Sequence, residues 1–150
     1  MHRAPAAVLD TNVALDWLLF RDARSAALQA ALEAGAVRWL ACERMREEFR
    51  RVLARPALGR WLPSGDWRKR LLHAFDERAH AQAEPPPAPA ALRCDDPDDQ
   101  VFVDLALASG ARWLVSRDKA VLRLRRHATR HGLHIVDPGG WVFADAQAAG

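Results

Sequence analysis

The chain has 150 residues, half of them apolar, with 22 Lys and Arg against 19 Asp and Glu, a net charge of +3 and a pI near 9.5. That length supports one domain with its own core, and no apolar run approaches the roughly 18 to 20 residues of a membrane span. The first residues lack the basic and apolar stretches of a secretory leader, so a cytoplasmic protein is expected, and Cys42 and Cys94 show no metal-ligand or disulfide spacing.

In chain order, short apolar runs alternate with amphipathic stretches. A strand is expected at 6–9, then helices at 12–19 and 24–33. Gly35 caps the second helix before a strand at 37–40. Helices follow at 43–53 and 67–80, and the proline-rich stretch 84–90 is an extended connector. A helix at 97–109 ends at Gly110, a strand follows at 113–116, then a helix at 119–126 and a strand at 134–136. This alternation predicts an α/β fold with a mainly parallel central sheet.

In a parallel sheet all strands end at one edge, where ligands bind beside the point at which strand order reverses. Asp10 and Asp118 each follow an apolar run and precede a helix, so both belong on that edge. Either residue taken singly is explained as a helix N-cap. In helix 43–53, Met45, Phe49, Val52 and Leu53 define a buried face that also carries Glu48. A buried carboxylate needs a partner, and a salt bridge and a metal suit it equally by spacing. The run Asp95-Asp96-Pro97-Asp98-Asp99 reads as N-cap Asp96, proline at the first helical position and acids in the first turn. Asp99 shares a face with Phe102 and Ala106, whereas Asp98 shares one with Val101 and Leu105, so periodicity does not choose between them. Converging carboxylates repel one another unless a hard divalent cation holds them.

Four pieces carry a family resemblance: Val8-Leu9-Asp10-Thr11-Asn12; Glu47-Glu48-Phe49-Arg50-Arg51-Val52-Leu53 followed by Arg55-Pro56; Asp96-Pro97-Asp98-Asp99-Gln100-Val101-Phe102; and Gly110 through Asp118. In order, spacing and setting they resemble the PIN domain family, in its toxin-like branch, over a core of about 6–143 within a single domain at 1–150. The resemblance implies a three-layer α/β/α sandwich and a Mg²⁺- or Mn²⁺-dependent endoribonuclease, with one or two ions held by Asp10, Glu48, Asp99 and Asp118. It prefers Asp99 to Asp98 and places Asn12 and Ser116 as supporting polar residues. It further implies an antitoxin protein as partner and RNA as substrate, and it allows a homodimer. Two departures stand out: Ser116 occupies a position where Thr is usual, and Ala120 one where relatives often carry another Asp.

A polyanionic substrate calls for a basic rim around the acids. Arg50, Arg51, Arg117 and Lys119 are the candidates for RNA contact, although solvated helix faces and ion pairs explain individual arginines as well. The overall basic balance is weaker support, because a chain rich in Ala, Arg, Pro and Trp also reflects a GC-rich genome. His127 and His131, spaced i,i+4 without a third ligand, are read as surface residues. Most of the six tryptophans fall on apolar positions and are read as core or interface packing, and Trp61 and Trp67, beside the Pro63-Ser64-Gly65 turn, are the better candidates for an exposed partner surface.

Asn12 stands where a haloacid dehalogenase-like phosphatase needs a second Asp, and no glycine-rich phosphate loop follows the first strand. Within the resemblance, the alternative to a nuclease is a catalytically silent PIN-like module that binds RNA or protein.

Overall fold

In a computed structural model that describes residues 3–60 and 66–143, strand β1 (Ala6–Leu9) is buried at every position. A strand without polar alternation requires cover on both faces, which a sheet between helical layers provides. β1 lies at the centre of a five-stranded parallel sheet in the order β3-β2-β1-β4-β5, with β2 at Arg38–Cys42, β3 at Ala79–Gln82, β4 at Trp113–Val115 and β5 at His134–Val136. Ala7 pairs with Trp39 on one side and Trp113 on the other, which fixes the register of the three central strands. Strand order reverses between β1 and β4. The helices flank this sheet in the expected three-layer α/β/α arrangement.

The first helical segment has two parts, α1 (Thr11–Leu15) and a π-helical turn at Asp16–Phe20 that ends at Arg21, a non-glycine residue in the left-handed region (φ 50°). Helix α2 covers Ala26–Glu33, α3 Glu43–Leu53, α4 Pro56–Gly59 and α5 Trp67–Arg78. Helix α6 (Gln100–Ala108) follows a 3₁₀ turn at Pro97–Asp99. The expected helix at 119–126 is instead α7 (Lys119–Leu122) and α8 (Arg125–Thr129), a break that leaves Val121, Leu124 and Ala128 all buried. Gly35 and Gly110 adopt positive φ (75° and 68°) where each helix hands over to a strand. No described helix is long and apolar enough to cross a membrane.

Two further expectations change. Helix α5 stops at Arg78, and Ala79-His80-Ala81-Gln82 pairs with β2 as an edge strand. Its Ala and Gln carry little β propensity, and pairing with β2 overrides that local preference. Trp67 is 6% exposed, packed in the core with Arg68 over its ring, so it offers no docking surface. Trp61 lies outside the described residues. His127 and His131 are exposed, and Cys42 and Cys94 are free thiols, the first buried and the second half-buried.

The proline-rich connector is pinned to α6 by buried polar groups. Asp104 Oδ1 accepts the Ala88 N–H (2.8 Å) and the Gln100 amide (2.9 Å), and that amide also donates to the Leu92 carbonyl (3.0 Å). Gln100 Oε1 accepts the Cys94 N–H. These bonds set where the chain enters the acidic turn at 95–99.

Candidate active site

At the end of β1 the backbone N–H of Asp10 still donates to the Val115 carbonyl across the ladder (3.1 Å), and the residue then caps α1 by accepting the Val13 N–H (2.9 Å). Its other oxygen accepts the hydroxyl of the fully buried Ser116. Asp10 is only 5% exposed. Burial pushes its carboxyl above the ordinary range, against the opposing pull of Ser116, the Val13 N–H and the Arg117 charge.

Ser116 also accepts the Asp118 N–H (3.0 Å), so one hydroxyl ties together the acids that follow β1 and β4. Asp118 caps α7 by accepting the Ala120 N–H (2.8 Å). Across from it, Asp96 caps the 3₁₀ turn through the Asp98 N–H (2.9 Å), with Pro97 at the first position. That turn brings in Asp99. One carboxylate oxygen each from Asp96, Asp99 and Asp118 lies within 4.8 Å of the others.

Asp99 is the strained member. Burial, the adjoining Asp118 carboxyl at hydrogen-bond reach, and the charges of Asp118, Asp96 and Asp10 push its carboxyl up to about 8. Its Oδ2 is buried without a hydrogen-bond partner among the described residues. A half-buried acid this crowded either holds a proton or meets a cation.

Glu48 projects from the half-buried side of α3 and accepts the Thr11 hydroxyl (2.9 Å). Burial raises its carboxyl pKa against that hydrogen bond, and the charges of Asp10 and Asp98 add to the rise. The four sequence-predicted acids thus occupy one edge. Asp99 and Asp118 are in direct proximity, Asp10 joins them through Ser116, and Glu48 joins through Thr11. Asp98 is exposed on the Glu48 side rather than within the three-carboxylate group. Asn12 is exposed on the first turn of α1 and makes no side-chain hydrogen bond among the described residues.

Three participants escape sequence reasoning. Asp96 reads there as a cap only, yet it both caps and faces Asp99. Thr11 stands inside the Asp10-Thr11-Asn12 motif, which was its one available signal. Asp16, a carboxylate in the apolar run 13–20, is buried and forms a two-point ion pair with Arg117 (3.0 and 3.1 Å).

The expected basic rim divides accordingly. Arg117 is engaged by Asp16, and Arg50 by Glu47. Arg51 and Lys119 are exposed with no ion pair among the described residues. Arg44, Arg51 and Arg55 line a groove of about 280 Å³ together with Glu48, Asp98 and Val101, next to the acids.

Residues 6–120 match the sequence profile of the PIN domain family. Among solved structures, the chain is similar to VapBC2 from Rickettsia felis, crystallised bound to a DNA fragment from their promoter. The similarity has a TM-score of 0.59 at 14% identity and covers 91% of this chain and 99% of that one. No curated protein sequence matches the chain.

Proposed function

The chain belongs to the PIN domain family, and from that premise we propose that it is a metal-dependent endoribonuclease, the toxin of a type II toxin–antitoxin pair acting in the cytoplasm. The observation that carries this reading is the meeting of Asp96, Asp99 and Asp118 at the strand-order reversal, with Asp99 Oδ2 buried and unpartnered.

Oxygen-only ligands at such spacing suit Mg²⁺ or Mn²⁺, one or two ions. Asp99 and Asp118 would hold the ion, with Asp10 and Asp96 completing the negative field. A divalent cation held by Asp99 and Asp118 would supply positive charge against that developing on the scissile phosphate and would make water a better nucleophile. Ser116 positions Asp10 against Asp118. Glu48, which accepts the Thr11 hydroxyl and has a raised pKa, would orient a water or take its proton. Arg44, Arg51 and Arg55 would track the RNA backbone along the groove beside Glu48, and Lys119 would do so beside Asp118. Arg50 and Arg117 are given structural roles instead, because each already has a carboxylate partner. A cognate antitoxin would cover the acidic edge, and self-association as a homodimer is the further partner reading.

The test is cleavage of a mixed RNA panel by the purified chain with Mg²⁺, Mn²⁺ or EDTA, alongside Asp10→Asn and Asp99→Asn. Metal-dependent cutting that both variants lose by two orders of magnitude or more is the expected result. RNA binding without cutting under either metal would replace the nuclease with a silent binding module.

A further inference from the structure

A cavity of about 810 Å³ lies away from the acidic edge. It opens at the opposite edge of the sheet, where β2 and β3 begin, four strand residues or roughly 13 Å from the level of Asp10. A volume of this size falls in the range of small-ligand sites. Arg21, Arg38 and Arg78 line it around Glu33, over a floor formed by Trp17 and Trp39.

Glu33 accepts from Arg21 Nη1 (3.1 Å) and from the Trp17 indole (3.2 Å). Arg38 donates its Nε to the Ala4 carbonyl (2.9 Å), which leaves its terminal nitrogens unengaged among the described residues. Arg78 lies over the Trp17 ring, 5.2 Å from its centroid, and its charge reaches Glu33. Neither Arg38 nor Arg78 has a carboxylate at ion-pair distance among the described residues. Three guanidiniums against one carboxylate leave two positive charges in excess. Arg21 closes the π-helical turn with left-handed backbone, a rarely populated conformation and a turn type that often marks functional sites, while its exposed side chain is paired with Glu33.

We propose that this cavity is a second binding site, for a terminal phosphomonoester such as the 5′-phosphate of a nucleotide. A phosphomonoester carries close to two negative charges at neutral pH, matching the excess. Its oxygens accept the paired N–H groups that guanidinium forks present. Two sources share this chemistry, a free mononucleotide and the 5′-phosphorylated end of an RNA strand. Neither requires the acidic edge, so the proposal stands apart from the nuclease reading.

Calorimetric titration of the full chain in EDTA tests it, with uridine 5′-monophosphate, a 5′-phosphorylated hexauridylate and the same strand ending in a 5′-hydroxyl. Saturable binding of the phosphorylated ligands is expected, about tenfold or more weaker in Arg38→Gln and in Arg78→Gln. It should be unchanged in Asp99→Asn and at least about tenfold tighter than for the 5′-hydroxyl strand. Whichever phosphorylated ligand binds more tightly identifies the source. Equal binding of the hydroxyl strand, loss of binding in Asp99→Asn, retention in both arginine variants, or no saturable heat at millimolar ligand would each overturn the proposal. Circular dichroism confirms the fold of each variant, and if one arginine variant fails to fold the other carries the comparison.

Discussion

Ser116 and Asp10 stand 106 residues apart in sequence and share a buried hydrogen bond, in which the serine hydroxyl donates to the carboxylate that closes β1. The same hydroxyl accepts the Asp118 N–H, so Ser116 couples the two strand ends that flank the reversal of strand order. Ser116→Ala removes a donor from a buried carboxylate, at a cost of about 1–3 kcal/mol. For a chain of this size that lowers the melting temperature by roughly 2–4 °C per kcal/mol. Scanning calorimetry checks it, and an unchanged melting temperature would mean that Asp10 does not depend on Ser116.

The crowded carboxyls make the metal-free protein sensitive to pH. Asp99, Asp10 and Glu48 all have raised pKa values, so between their unfolded and folded values the native state holds protons that the unfolded chain has released. Their contribution to stability is full below the unfolded values and is lost as pH rises, for Asp99 through about pH 8. In EDTA, Asp99→Asn should therefore melt above the parent chain at pH 8, with the advantage shrinking toward pH 5. Mn²⁺ should stabilise the parent and not the variant. Parallel melting curves for the two proteins across this range would rule out Asp99 as the strained group.

Asp104 holds the proline-rich connector to α6. Replacing it with Ala leaves the buried Ala88 N–H without its acceptor and frees the Gln100 amide. A loss of about 2–4 kcal/mol is expected from the unsatisfied groups, read as a lower urea midpoint with an unchanged slope. Amide exchange should accelerate first at 84–94, and faster exchange confined to another region would place the lost contact elsewhere.

Arg50 and Arg51 are sequence neighbours with different surroundings. Arg50 is paired with Glu47, whereas Arg51 lines the groove beside Glu48 without an ion pair among the described residues. Arg51→Ala should weaken RNA binding and lower the slope of log affinity against log salt by about 1. Arg50→Ala should change both less. Equal effects in the two variants would show that the Glu47 pair opens to let Arg50 reach the strand.

Much of this arrangement is local and was readable from residue order. The unbroken apolar run at 6–9, the glycines at 35 and 110 and the face of Met45, Phe49, Val52 and Leu53 each follow from backbone sterics and side-chain periodicity. They place Asp10 and Asp118 at one edge because every parallel strand ends there, and put Glu48 on the buried face of its helix. N-cap preference also explains Asp10, Asp96 and Asp118 one at a time, which is why Asp96 reads as a cap and nothing more.

What periodicity cannot supply is the pairing between distant segments. Ala79–Gln82 lacks a strand signature and becomes one only against β2. Trp67 flanks a turn in sequence but is drawn into the core with α5. The facing of Asp99 and Asp96 toward Asp118, the bond from Thr11 to Glu48 and the capture of Arg117 by Asp16 all depend on strand order and helix packing. The sequence by itself determined which side chains are apolar, capped or charged within each element. The tertiary structure decided which charges meet, because Coulombic and hydrogen-bond energies depend on separations that only the packed chain defines.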